Sequence, residues 1–176
     1  MMRVLGLDPG LRNTGWGVIE AEANRLRHVA NGVVSSDPSG NLAERLLQLA
    51  EGIEEVLRSY EPSDAAVETS LSNKNPASTL KLGMARAVSL LSPARLGIPV
   101  GEYLPMIVKK AVVGTGHADK VQVQTMVRHM LPGCEIVAAD AADALAVAIC
   151  HAHHLSTAQR WVGGGPRGAT APVRPA

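Results

Sequence analysis

Phenylalanine is absent from this chain, and Trp16, Tyr60, Tyr103 and Trp161 are its only aromatic residues. The core must therefore be assembled from Leu, Val, Ile, Ala and Met, and recognition by stacking bases on aromatic rings has little to work with. Cysteine is scarce: Cys134 and Cys150 stand alone, with neither the spacing of a zinc ribbon nor the density of a disulfide-stapled secreted domain, and they read as buried thiols. No apolar run approaches the roughly 18–20 residues of a membrane span, and the opening Met1 to Leu7 reaches Asp8 too soon for a signal peptide. A cytoplasmic protein without membrane association is expected. Net charge is also nearly lacking, at +1, but its distribution is uneven. Glu20, Glu22, Asp37, Glu44, Glu51, Glu54, Glu55, Glu61 and Asp64 face only four arginines, whereas Lys74, Lys81, Arg86, Arg95, Lys109, Lys110, Lys120 and Arg128 face only Glu102 and Asp119. Such a division lets an anionic polymer bind one face, although solvated helix faces produce the same counts.

A chain of 176 residues fits one domain by the usual prior of about 100–200 residues. Arg3 to Asp8 is a short apolar run closed by Pro9-Gly10, which predicts a buried strand with Asp8 at its C-terminal end. Gly15 to Ile19 and Leu26 to Val34 predict two strands returning against it. Leu42, Leu46, Leu49, Ile53, Val56 and Leu57 recur at helical spacing as far as Tyr60. Ala65 to Glu68 is then a brief strand, and the strand-helix-strand length favours parallel pairing with an earlier one. Asn75-Pro76 is a helix start, with Leu80, Met84, Val88 and Leu91 as its apolar stripe and Pro93 as a kink or stop. Ile98 to Tyr103 predicts a fifth strand, and Met106 to Val113, Asp119 to Leu131 and Asp140 to His154 predict helices. The expected organisation is one α/β domain over residues 1–155, with a disordered Gly/Pro/Ala/Arg tail over 156–176.

Four carboxylates fall where a strand end, a second strand end and a late helix start could bring them together: Asp8, Glu68, Asp140 and Asp143. Each has a plainer reading. Asp before Pro-Gly is commonly a turn former; Glu68 could end a strand at the surface; Asp140 could be an N-cap, with both aspartates complementing the helix dipole. As a set they suit hard divalent cations, because Mg²⁺ and Mn²⁺ prefer oxygen donors, and a pair of such ions can activate water against a phosphodiester. Lys109 and Lys120, on either side of a glycine turn, could reach a phosphate or be ordinary solvated lysines. Cys150, His151, His153 and His154 invite a zinc reading, but histidines at a helix C-terminus are explained by the dipole, and a paired ligand set is lacking.

The motifs Leu5-Gly6-Leu7-Asp8-Pro9-Gly10, Asn13-Thr14-Gly15-Trp16-Gly17, Asn73-Lys74-Asn75, Leu80-Lys81-Leu82-Gly83, Val108 to Gly116 and Asp140-Ala141-Ala142-Asp143-Ala144-Leu145-Ala146 resemble, in order and interval, the RuvC family of Holliday junction resolvases, from about residue 3 to 154. The resemblance implies a ribonuclease H-like fold, a five-stranded mixed sheet flanked by helices. It also implies a homodimer cutting two opposing strands of four-way junction DNA in recombination and repair, with Mg²⁺ or Mn²⁺, two ions per active site. It places catalytic and metal-holding carboxylates on Asp8, Glu68, Asp140 and Asp143, and catalytic, phosphate-holding lysines on Lys109 and Lys120. Further DNA contacts fall on Leu71, Asn73, Lys74, Lys81, Arg86 and Lys110, and the partners are the branch-migration proteins RuvA and RuvB. Leu71 departs from the aromatic that relatives usually carry, and Pro93 and Leu104 to Ile107 are also atypical. An apolar wedge at Leu71 would lack the stacking energy of about 1–3 kcal/mol per base. A junction-binding clamp with weak cleavage is therefore the second reading. A sugar-kinase or actin-like phosphotransferase also opens on an Asp-x-Gly turn, but needs two lobes that this length does not supply.

Overall fold

The computed structural model describes residues 1–23, 25–69 and 75–164, with side chains as far as 157. Five strands and five helices follow one another as β1 (Met2–Asp8), β2 (Asn13–Glu22), β3 (Arg25–Ser35), α1 (Leu42–Tyr60), β4 (Asp64–Glu68), α2 (Pro76–Arg95), β5 (Val100–Tyr103), α3 (Pro105–Val113), α4 (Lys120–Met130) and α5 (Ala139–Gly164). The strands form one mixed sheet in the order β3-β2-β1-β4-β5. The β1–β2 and β2–β3 pairs are antiparallel, and β4 lies parallel to both β1 and β5. The expected five-stranded mixed sheet and the parallel crossover through α1 are both present.

The period-2 alternation of β1 and β4 divides the core. Leu5, Leu7, Ala65 and Val67 pack with Ile53, Val56 and Leu57 of α1 on one face. Val4 and Ala66 pack with Val108, Val123, Val127, Leu145 and Ile149 of α3, α4 and α5 on the other. Asp8 and Glu68, in phase with Val4 and Ala66, therefore belong to the α5 face. Helix α1 begins at a capping box between Asn41 and Glu44 and ends at Glu61 in the left-handed region, with φ 44°. At the end of the sheet remote from Asp8, Glu20 is buried and accepts hydrogen bonds from Arg3 and Arg27, which hold its carboxyl below the usual range.

Two expectations about helices need correction. In α2 the residues that face inward are Ala85, Ser89, Ser92 and Pro93, whereas Leu80 and Leu91 are 63% and 58% exposed. Small residues let the helix lie close to its neighbours, so the apolar stripe read from spacing points mainly outward; Met84 and Val88 are only half-buried. Pro93 sits inside the last turn, and the helix stops at Arg95. Helix α5 continues to Gly164, past both His154 and the expected start of a tail at 156. Residues 165–176 lie outside the described residues. Among the described residues, no helix is long and apolar enough to cross a membrane.

Candidate active site

Helix α5 is buried nearly all round, from Ala141 and Ala142 through Ala144 to Cys150, which explains its even spread of apolar residues. Burial of Leu145 and Ile149 alone contributes about 1.5–3 kcal/mol each. The sheet admits such a helix because the facing residues are glycines. An added Cβ on Gly6 would stand 2.0 Å from the Ala144 carbonyl oxygen, and one on Gly17 would stand 2.7 Å from the Leu145 side chain. Gly15 is the position that matters for chemistry. It pairs directly across from Asp8 in the β1–β2 register, and an added Cβ there would lie 2.0 Å from the carbonyl oxygen of Asp140. The absence of a side chain at Gly15 thus lets the start of α5 touch the sheet beside Asp8.

The result is a cluster of half-buried carboxylates. One oxygen each of Asp8, Asp140 and Asp143 lies within 4.8 Å of the others. Burial, then the neighbouring charges of Glu68, Asp143 and Asp140, push the Asp8 carboxyl up to about 8. Glu68 stands outside that 4.8 Å group, yet it is close enough for Asp143, after burial, to help raise it to about 7. Asp140 is not an N-cap: α5 starts at Ala139, and the Ala142 amide donates to Ala138. Both α5 aspartates nevertheless lie near the positive end of the helix dipole, a favourable term of about 0.3–1 kcal/mol and too small to offset the crowding. Asp8 and Glu68, which hold protons near neutrality because they are buried and crowded by like charge, match a divalent cation with oxygen ligands.

The basic residues sort by position. Lys120, first residue of α4, donates to Asp143 across 3.2 Å, and that bond raises its own pKa. Asp119 caps α4 with Gln122, which sets where Lys120 emerges. Lys109 on α3 is half-buried and lies close enough to lower Glu68 electrostatically. Lys110 and Lys81 are exposed, and Arg86 is ion-paired with Glu102. Leu71, Asn73 and Lys74 lie outside the described residues. The histidines form no metal set: among the described residues the acidic group is the only candidate, and burial pushes the Cys150 thiol up to about 12. Cys150 is buried as expected, whereas Cys134 is only half-buried. His151 instead bonds the Tyr103 hydroxyl at 2.8 Å. The role of Gly15 escaped sequence reading although the residue lay inside a recognised motif; glycines spaced by two along adjoining strands were the available signal.

A cluster of aspartates at the end of β1, completed by a helix crossing a five-stranded mixed sheet, defines a nuclease of the ribonuclease H-like class. The family model for crossover junction endodeoxyribonuclease RuvC matches residues 4–151. Crossover junction endodeoxyribonuclease RuvC of Paramagnetospirillum magneticum is 64% identical over 159 residues, 90% of this chain and 96% of that protein. The same enzyme of Rhodospirillum rubrum is 61% identical over 168 residues, 93% and 99% of the two chains. The structure of T. thermophilus RuvC in complex with a Holliday junction substrate superposes with a TM-score of 0.83 at 34% identity, covering 89% of this chain and 96% of that one. The yeast mitochondrial Holliday junction resolvase Ydc2 shares the fold at 13% identity, TM-score 0.68, over 92% and 82% of the chains. This chain belongs to the RuvC family of crossover junction endodeoxyribonucleases.

Proposed function

We propose that this chain resolves four-way DNA junctions as a homodimer, each subunit hydrolysing one phosphodiester in one of two opposed strands to leave 5′-phosphate and 3′-hydroxyl ends. The convergence of Asp8, Asp140 and Asp143 within 4.8 Å carries this reading. Asp8, Asp140, Asp143 and Glu68 hold Mg²⁺ or Mn²⁺, two ions being the expected complement. When bound, such cations neutralise phosphate charge and make water acidic enough to attack at neutral pH. Lys120, 71% exposed at its side chain and tethered by Asp143, is free to turn from the surface toward a phosphate oxygen. Lys109 lies on the Glu68 side and can balance charge there. Lys110, Lys81 and Arg86, with Leu71, Asn73 and Lys74, extend the contact to DNA beyond the scissile bond.

The outward stripe of α2 supports the dimer. Leu80 and Leu91 are exposed and fall on one line of the helix with exposed Ala87, an apolar strip suited to an isologous contact. Two copies related by a two-fold axis would present two acidic sites to symmetry-related strands. Cooperation with RuvA and RuvB and residence in the cytoplasm rest on family membership.

The test is incubation of the protein with a synthetic mobile four-way junction and a matched linear duplex in Mg²⁺, Mn²⁺ or EDTA, resolved on a denaturing gel. Paired nicks in the junction alone, dependent on metal and lost in Asp8→Asn while junction binding survives, are expected. Binding without nicks would move the reading to a clamp, and cleavage retained in Asp8→Asn would remove Asp8 from the chemistry.

A further inference from the structure

Helix α5 enters the site from an irregular segment, residues 131–138, whose apolar anchors are Leu131 and Ile136. Its polar anchor comes from the far edge of the sheet. Asn31 on β3 donates from Nδ2 to the Glu135 carbonyl at 2.8 Å and accepts at Oδ1 from the Val137 amide at 3.1 Å. The carboxamide therefore pairs with this segment as a neighbouring strand would. A backbone N–H can only donate, so the Val137 amide fixes which way the carboxamide faces. The other Nδ2 hydrogen points to His28 Nε2 at 2.8 Å, which must accept as neutral imidazole; burial lowers the His28 pKa and keeps it neutral.

A bulge makes this arrangement possible. In a regular strand residues 28 and 31 face opposite sides. Here Val18 pairs with Ala30 while Ile19 pairs with His28, leaving Val29 as the extra residue. His28 and Asn31 are thereby both turned to the α5 side, a re-aiming that bulges commonly provide. The clamped segment ends at Ala138, where the first α5 hydrogen bond begins, and Asp140 then touches the sheet at Gly15.

We infer that Asn31 is a positioning residue for the cation site: its carboxamide, aimed by the β3 bulge, sets where Asp140 and Asp143 stand relative to Asp8. The inference rests on the cation reading of that cluster. It is tested by the Mg²⁺ concentration giving half-maximal thermal stabilisation of the free protein, with junction affinity in EDTA and cleavage measured alongside. Asn31→Ala should raise that concentration by about three- to tenfold, below the roughly 10–100-fold typical of groups bonded directly to metal ligands, while junction affinity in EDTA changes less than twofold. Asn31→Ser, which keeps a hydroxyl able to bond one of the two backbone groups, should shift it less; it also serves if the alanine variant does not fold. Ile53→Val, in the opposite core, should lower the melting temperature without moving the Mg²⁺ requirement. A lowered melting temperature with an unchanged Mg²⁺ requirement in both Asn31 variants would overturn the positioning role. Wild-type protein that Mg²⁺ and Mn²⁺ do not stabilise at all would overturn the cation reading and this inference with it.

Discussion

Replacing Gly15 by alanine puts a Cβ 2.0 Å from the Asp140 carbonyl oxygen and 2.4 Å from its carbonyl carbon. Ordinary contact distances begin at 3.4 Å, and both clashing atoms are backbone, so the start of α5 must retreat from the sheet by roughly 1.4 Å in a close-packed interior. Overpacking of this kind costs about 1–3 kcal/mol, which a domain stable by about 5–15 kcal/mol survives. The chemistry is less tolerant, since a displacement of about 1 Å in reacting groups can cost on the order of 100-fold in rate. Asp140 moves directly, and Asp143 moves with the same helical turn. Gly15→Ala is therefore expected to fold, to bind a four-way junction in EDTA as wild type does, and to cleave about 100-fold more slowly under single-turnover conditions. Its Mg²⁺ requirement should rise as well. Cleavage within a few-fold of wild type at an unaltered Mg²⁺ requirement would refute the argument that Gly15 admits the helix to the site.

The raised carboxyls predict a pH dependence whose sign is fixed. Asp8 at about 8 and Glu68 at about 7 hold protons in the folded, metal-free protein that the unfolded chain gives up near the ordinary carboxylate range. Their contribution to stability is full below that range and is lost as pH rises through 7–8, with a slope approaching about 1.4 kcal/mol per pH unit for each retained proton. Thermal denaturation in EDTA should show the melting temperature falling from pH 5 to 8, and Mg²⁺ should suppress that fall by replacing the protons; a flat profile in EDTA would contradict the raised Asp8 and Glu68 carboxyls. Substituting the outward stripe, as in Leu91→Glu, should convert a dimer to a monomer by light scattering and leave Mg²⁺-dependent stabilisation intact. A wild-type monomer at tens of micromolar would remove the α2 face from consideration.

Most of the secondary structure was legible because local signals agreed with burial. Asn75-Pro76 caps and starts α2, Asp119 caps α4, and the α1 stripe buries Leu49, Ile53, Val56 and Leu57. The α2 stripe misled for a physical reason: periodicity reports that a helix has an apolar side, not what covers it, and here Ala85 and Ser89 take the inner positions. The sequence reading ends α5 at His154, whereas the helix runs on to Gly164.

The four carboxylates could be picked out from strand ends and a helix start because, although each alone has a plainer reading, together they form a set of oxygen donors suited to a divalent cation. Their grouping was another matter. Asp8 and Asp140 lie far apart in the chain, and their meeting depends on three features that act only in the folded molecule: the glycine opposite Asp8, the bulge that aims Asn31, and the clamp on residues 135 and 137. The sequence by itself determined the strands, the start of α2 and the oxygen-rich chemistry, since these follow from local propensity and residue type. Only the tertiary structure decided that Asp8, Asp140 and Asp143 share one site with Glu68 beside it, because how closely a helix approaches a sheet is set by the residues between them, which contribute no functional group and leave no chemical signal in the chain.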